Sequence, residues 1–225
     1  MTQIIACSTD EGIVLATDSR ATWFDQTGEM KHFSLKKLLR LGSHSAMLSA
    51  GAGIGVEMSL GFQNFLRREG TEAIDDIANM ALFFFTEQYG KWLTQRGIQP
   101  PLPPTSDEES DQNLPLNEVY LILAGYSLRD RVQPYHLHLF SSERERISIK
   151  AIPTSQTIVV PRSLSMERRL EAQREGGASL DQLLTLCKSF LKKRSAEGEE
   201  VGPPFYFATI TRFGYKEIVE EEVKG

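Results

Sequence analysis

The sequence contains few cysteines, no long apolar stretch and no broad excess of basic residues. Its two cysteines, Cys7 and Cys187, lie far apart in the 225-residue chain, so neither a disulfide framework nor a zinc site has the ligands that it needs. No apolar stretch approaches the roughly 20 residues that span a bilayer, and residues 1–4 lack the basic and apolar regions of an export signal. These absences predict a cytoplasmic protein with no membrane partner.

The charge distribution argues against nucleic acid as a partner. The formal net charge is −5, whereas binding to a phosphate backbone calls for clustered lysine and arginine. The dense basic runs at residues 67–68 and 192–194 fall near the ends of predicted helices, where cations complement the helix dipole. We expect both runs to be solvated helix ends.

Apolar spacing predicts the order strands, two helices, strands, two helices, strands. Two consecutive helices, broken at Gly70, are predicted between residues 53 and 92, and two more at 163–173 and 180–193. The last begins with a capping-box pattern. A polar segment with Asp25 and Gly28, for which no strand is predicted, follows the first hairpin. The predicted strands are 4–7, 13–17, 35–41, 46–50, 119–124, 135–140, 147–151, 157–160, 205–211 and 216–219.

This order predicts an α+β fold in one domain spanning residues 1–225. Two antiparallel sheets packed together, each covered by a pair of helices, would form a four-layer αββα sandwich. Residues 97–117 combine five prolines with an acidic cluster and almost no periodic apolar residues, which is typical of an exposed loop. We interpret this segment as an insertion within the domain.

Four short segments near the start form a recognisable pattern: TQIIAC from Thr2, GIVLATDSRAT from Gly12, LKKLLRL from Leu35 and AMLSAGAG from Ala46. The pattern resembles the proteasome β-subunit and HslV family of N-terminal-nucleophile (Ntn) hydrolases, as a divergent bacterial, Anbu-like member. The spacings from Thr2 to Asp18 and from Lys37 to Gly51 match those of the family. The resemblance is specific over about residues 2–55 and extends to most of the chain at the level of the fold.

The resemblance implies a role for eight residues. Thr2, exposed as a new N-terminus once Met1 is removed, would be the nucleophile. The other catalytic positions would be Asp18, Lys37, Gly51 and Ser163, with Ser165 as an alternative to Ser163. The residues implied at the substrate-binding cleft are Arg20, Thr22 and Ser49, of which Arg20 would support Asp18 or its loop.

The chemistry of these residue types agrees with the implied roles. A threonine hydroxyl is a weak nucleophile that needs a base, and an N-terminal threonine supplies one in its own α-amino group, with an unperturbed pKa of roughly 7.7–8.0. Lys37 beside Thr2 would favour the neutral amine and the developing alkoxide, and Asp18 would hold the lysine. The Gly51 N–H could donate to an oxyanion. Taken singly, each residue has an ordinary structural explanation.

Two later segments depart from the family pattern. Where the family has a Gly-Ser-Gly turn before its third helix, this chain reads VVPRSLSMERR. Where the family has an Asp and a Ser before its last strands, this chain reads EGEEVGPPFYF. Gly198 and Val201 fall near those two positions.

No metal or cofactor site is predicted from the remaining candidates. His136 and His138 alternate on one strand but lack a third ligand, and residues 107–111 lack the glycine and spaced glutamate of a calcium loop. Cys7 is expected to be a small core residue.

Three functions follow from the pattern. The first is a threonine endopeptidase that hydrolyses peptide or unfolded protein inside a homo-oligomeric ring or helical stack, for which the resemblance implies an ATP-dependent unfoldase partner. The second is a non-catalytic, proteasome-like structural ring subunit. The third is an Ntn amidohydrolase or transpeptidase acting on small amides.

Overall fold

A computed structural model describes residues 2–24, 29–97, 118–143, 148–198 and 200–218. Met1 and nearly all of the predicted insertion at 97–117 lie outside these ranges. Within them the chain forms twelve strands and four helices. The strands are β1 Ile4–Ser8, β2 Ile13–Thr17, β3 Arg20–Phe24, β4 Met30–Ser34, β5 Leu38–Arg40, β6 Ser45–Gly51, β7 Val119–Tyr126, β8 Tyr135–Ser142, β9 Ile149–Ile152, β10 Thr157–Val160, β11 Tyr206–Thr211 and β12 Gly214–Ile218. The helices are α1 Ile54–Glu69, α2 Ile74–Gln95, α3 Leu164–Glu175 and α4 Leu180–Glu197.

The strands form two five-stranded antiparallel sheets and one separate hairpin. The first sheet has the order β10-β1-β2-β11-β12 and the second β5-β6-β7-β8-β9, while β3 pairs only with β4. The prediction of a mixed α+β fold with antiparallel sheets and four helices is therefore confirmed.

Three apolar clusters hold these elements together. One lies between α1, α2 and the second sheet, around Phe62, Phe85 and Phe140. Another joins inward-facing residues of both sheets, such as Ile4 and Ile122. The third joins the other face of the first sheet to α3 and α4. Because successive strand residues point to opposite faces, the first sheet contributes Ile4 and Ala6 to one cluster and Ile5 and Cys7 to another.

The hairpin β3–β4 was not predicted. Its sequence is polar or mixed, and every residue of β4 is exposed, so it lacks the buried alternation by which strands are recognised. The predicted strand at 35–41 is shorter than expected, because pairing with β6 begins at Leu38 opposite Leu48. Lys37 therefore lies just outside the strand.

The predicted capping box at α4 is confirmed. The Gln182 N–H donates to the Ser179 hydroxyl, and the Ser179 N–H donates to the Gln182 side-chain oxygen at 2.8 Å. Across the described segments, every helix falls short of the length or the apolarity that a bilayer crossing requires.

Candidate active site

Three of the predicted residues meet at one buried point. The Nζ atom of Lys37 donates to Thr2 Oγ1 at 2.8 Å and to Asp18 Oδ1 at 3.2 Å. Its third contact is the backbone oxygen of Arg20, at 2.6 Å. An ammonium group has three donors, so these acceptors fix both the position and the orientation of the lysine.

The strand register explains why these residues come together. Ile4 pairs with Thr17 in the β1–β2 ladder, which places the residues before β1 beside those after β2. The Asp18 N–H donates to the Gln3 oxygen at 3.2 Å, and the Gln3 N–H returns a bond to Asp18 Oδ1 at 2.9 Å. The Leu35 N–H donates to the Ser19 oxygen at 2.8 Å. This bond brings the residues before β5, which include Lys37, to the same place.

The Asp18 carboxylate is held by four donors. Besides Lys37 and Gln3, the Arg20 N–H donates to Oδ2 at 3.0 Å and the Gly202 N–H at 3.5 Å. Sequence reasoning missed Gln3 and Gly202, since both act through the backbone and leave no side-chain signature. For Gln3, its position directly after Thr2 was a signal that could have indicated its role.

Burial controls the electrostatics of the pair. Asp18 is 0% exposed and Lys37 is 4% exposed. Burial lowers the pKa of the Lys37 ammonium, and the nearby Asp18 charge acts in the opposite direction. Burial likewise raises the pKa of the Asp18 carboxyl, against the Lys37 charge and the backbone donors, which lower it. Each charge is thus stabilised chiefly by the other, because little water reaches either group.

Gly51 lies at the end of β6 in a conformation that favours glycine. Its φ is +89°, and a Cβ there would overlap the Glu118 carbonyl. The Ser49 N–H donates to the Lys37 oxygen at 3.1 Å. Since N–H groups two residues apart in a strand point the same way, the Gly51 N–H is directed toward the edge of β6 on which Lys37 lies.

The residues predicted at the substrate cleft occupy different surroundings. Ser49 lies opposite Lys37, and its buried hydroxyl has no hydrogen-bond partner in the described part of the chain. Arg20 contributes its backbone to the Asp18 and Lys37 contacts. Thr22 is on the exposed hairpin, where its hydroxyl lies 3.3 Å from His32 Nδ1 and not at the Thr2 cluster.

The hydroxyl of Ser163 is not bonded to Thr2. Ser163 is the residue before α3, and its Oγ lies 3.3 Å from Ser165 Oγ. The chain nevertheless passes close to the site, because the Gln3 side chain donates to the Val160 and Pro161 oxygens at 3.1 and 3.3 Å.

The segment after α4 approaches the site through its backbone. Gly198 follows the last residue of α4, and Val201 is buried in the cluster with α3 and α4. It is the next residue, Gly202, that reaches Asp18. Gly198 and Val201, the positions nearest to the family's Asp and Ser, therefore bring no polar side chain to Thr2.

The other residues considered for chemistry lie apart from this cluster. The His136 and His138 rings stack at 6.0 Å, and His136 Nε2 lies 3.5 Å from Asp130 Oδ2. Among the described residues, no three His, Cys, Asp or Glu side chains are grouped to hold a metal ion. Cys7 is buried, with its Sγ 3.6 Å from Thr157 Oγ1.

Comparison with known proteins supports the fold. No family model and no curated protein matches the sequence. Among solved structures the chain is similar to the Anbu (Gly-1) mutant from Hyphomicrobium sp. strain MC1, with a TM-score of 0.64 and 15% sequence identity over 99% of this chain and 89% of that one. Anbu is a proteasome-like protein related to HslV. The chain therefore has a distant proteasome-like fold.

Proposed function

We propose that this chain is a threonine-type peptidase of the proteasome superfamily, in which Thr2 is the nucleophile once the Met1–Thr2 bond is cleaved. The observation that carries the proposal is the 2.8 Å hydrogen bond from Lys37 Nζ to Thr2 Oγ1, made by a lysine that Asp18 and the Arg20 oxygen also hold. A charged donor on a hydroxyl oxygen stabilises the alkoxide that forms when the hydroxyl loses its proton.

The proposed reaction uses the chain's own groups. The freed α-amino group of Thr2 takes the hydroxyl proton as Oγ1 attacks the carbonyl carbon of the substrate, and later returns that proton to the leaving amine. Water then hydrolyses the ester on Thr2. Lys37 stays protonated throughout, and its charge favours the neutral form of the amine.

Gly51 is proposed as the oxyanion donor. Its N–H lies on the Lys37 side of β6, and glycine lets the reacting carbonyl approach the backbone closely. One such donor is worth roughly 3 kcal/mol in the transition state. Ser49, whose buried hydroxyl lies beside Lys37, is proposed to line the substrate side-chain pocket, and Thr22 to border the cleft through its backbone.

The proposal extends to architecture and surroundings. The three apolar clusters support a four-layer αββα order in a single domain with an insertion at 97–117. By resemblance, we propose a cytoplasmic homo-oligomeric ring or helical stack that receives peptide or unfolded protein, with an ATP-dependent unfoldase as partner.

Turnover of peptides by Thr2 variants tests the function. Thr2→Ser keeps a primary nucleophile and should retain part of the peptidase activity, whereas Thr2→Val keeps the shape and should abolish it. Equal activity of the wild-type protein and Thr2→Val would reject Thr2 as the nucleophile. Cleavage of small amides without cleavage of peptides would favour an amidohydrolase or transpeptidase.

A second candidate is a non-catalytic ring subunit. The pairing of the Ser163 hydroxyl with Ser165 favours it, because no hydroxyl from that segment is bonded to Thr2. Protein isolated from its native cell would then retain Met1, and the blocked amine could not act as the base.

A further inference from the structure

The segment that follows α4 is attached by its backbone to the turn after β2. The Ser19 N–H donates to the Gly202 oxygen at 3.2 Å, and the Gly202 N–H points at Asp18 Oδ2 at 3.5 Å. Gly202 is buried. The backbone of this one residue therefore lies directly against the buried carboxylate.

The Arg20 side chain lies against Gly202. A Cβ at position 202 would overlap the guanidinium at Nε, Cζ and Nη2, so the guanidinium already occupies the space that any other residue would need. Glycine at 202 therefore leaves the space beside its backbone to the Arg20 guanidinium.

Arg20 is also bonded to both members of the ion pair. Its N–H donates to Asp18 Oδ2 at 3.0 Å, and its oxygen accepts from Lys37 Nζ at 2.6 Å. A shift of the Arg20 backbone would therefore move the groups that hold the carboxylate and the ammonium, and through the ammonium it would reach Thr2.

We propose that Arg20 and Gly202 form a cover, the Arg20–Gly202 cover, that keeps water from the Asp18–Lys37 pair and fixes Lys37 against Thr2. Both are positioning residues, since neither contacts Thr2 in the structure. This inference rests on the proposed function for its effect on the reaction, while the effect on the ion pair stands independently. It also gives the segment after α4 a role at the site through the Gly202 backbone.

The cover has a measurable electrostatic consequence. Burial is the largest influence on the pKa of Lys37 and lowers it, whereas Asp18 raises it. Water admitted to the pair would relieve the burial effect, a change that raises the pKa of Lys37, and would weaken the attraction to Asp18, a change that lowers it. Because the burial effect is the larger of the two, the pKa of Lys37 should rise. The alkaline limit of Thr2 reactivity should move to higher pH with it.

The test compares Gly202→Ala, Arg20→Ala and the double variant in the full chain. Gly202→Ala displaces the guanidinium and Arg20→Ala removes it, so both variants should raise the pKa of Lys37. This pKa is measured by NMR of the lysine Nζ groups, and the Lys37→Arg variant identifies which signal belongs to Lys37. Each of the two single variants should slow labelling of Thr2 by a threonine-directed electrophile roughly 10- to 100-fold, the scale of a 1 Å displacement. In the double variant, Gly202→Ala should add nothing to Arg20→Ala, since both act on one contact.

Gly125→Ala is the matched control. A Cβ at Gly125 would lie 2.6 Å from an Ile74 side-chain atom, so the variant crowds the packing of α2 on the second sheet, away from Asp18. It should lower the melting temperature without moving the Lys37 titration.

Three results would overturn the cover: an unchanged Lys37 titration in both single variants, an equal shift in Gly125→Ala, or additive effects in the double variant. Additivity would count against it because two independent perturbations add. If wild-type Thr2 does not react at all, the proposed function fails, whereas the Lys37 titration still decides whether the cover exists.

Discussion

The two sides of Thr2 are built differently. On one side Lys37 and Asp18 are buried and their hydrogen bonds interlock with the backbones of Gln3, Arg20 and Gly202. On the other side, at the start of α3, Ser163 is half-buried, and the hydrogen bond of its hydroxyl within the described ranges is to the exposed Ser165 hydroxyl.

This difference locates the part of the site that is fixed in advance of a substrate. A buried ion pair with its donors and acceptors satisfied holds one geometry, whereas two paired surface hydroxyls can rotate at little cost. We infer that Thr2 depends on the Lys37 side for its reactivity and only weakly on the α3 side.

Removing the lysine should have the largest effect. Lys37→Ala deletes the donor to Thr2 Oγ1 and should slow labelling of Thr2 by a threonine-directed electrophile roughly 100- to 1,000-fold. It also leaves Asp18 buried without its partner, which should cost about 3–5 kcal/mol of unfolding free energy. Rates from mass spectrometry and denaturant unfolding measure the two effects.

Lys36→Ala is the matched control for that variant. Lys36 is the adjacent lysine, and it pairs with Glu217 at the exposed surface, so its loss should change stability by no more than about 1 kcal/mol and leave labelling intact. A folded Lys37→Ala protein that labels as fast as Lys36→Ala would contradict the dependence on Lys37.

Neutralising the carboxylate should have the next largest effect. Asp18→Asn keeps the shape but removes the charge, and the loss of a charged hydrogen bond should slow labelling roughly 10- to 100-fold. Because Asp18 raises the pKa of Lys37, its removal should lower that pKa further and move the alkaline limit of labelling to lower pH. An unchanged alkaline limit would mean that Lys37 does not control it.

The pH dependence of the wild-type protein gives a third test. Labelling should rise as the freed amine loses its proton, at a pH below the unperturbed pKa of roughly 7.7–8.0, because the Lys37 charge favours the neutral amine. It should fall again as Lys37 loses its proton, and burial lowers the pKa of Lys37, so this fall should begin below the ordinary lysine value of about 10.4. A rate that stays constant through pH 10.4 would rule out a required ammonium at Lys37.

The smallest effect should come from the α3 side. Ser163→Ala and Ser165→Ala each remove one member of a surface hydroxyl pair, and such changes lie within about 0.5 kcal/mol, so labelling should change about twofold at most. A much larger decrease in the labelling rate for Ser163→Ala alone would show that Thr2 depends on the α3 side as well. It would indicate that Ser163 turns toward Thr2 in the reactive state.

The buried elements were well predicted because their apolar residues recur at the regular spacing of strands and helices. The first hairpin, both helix pairs and the capping box at Ser179 were recognised from local patterns. The β3–β4 hairpin was missed since its strands are held by backbone bonds at an exposed position, where side-chain type is weakly constrained.

The site was predictable only as far as side chains define it. The family resemblance implied Thr2, Asp18 and Lys37, the chemistry of their residue types agreed with it, and the structure brings the three together. Gly202 was missed because a backbone N–H is available at almost every position, so only the folded chain reveals which one reaches Asp18. The pairing of the Ser163 hydroxyl with Ser165 also could not be predicted from sequence, because a serine hydroxyl turns to suit its surroundings.

The mass of the natively purified protein, before and after reaction with a threonine-directed electrophile, tests both the removal of Met1 and the nucleophilic role of Thr2. If Thr2 is the nucleophile, Met1 will be absent, one adduct will form per reactive chain, and fragmentation will place that adduct on Thr2. A protein that carries out peptide cleavage with Met1 still attached, or an adduct on another residue, would contradict Thr2 as the nucleophile.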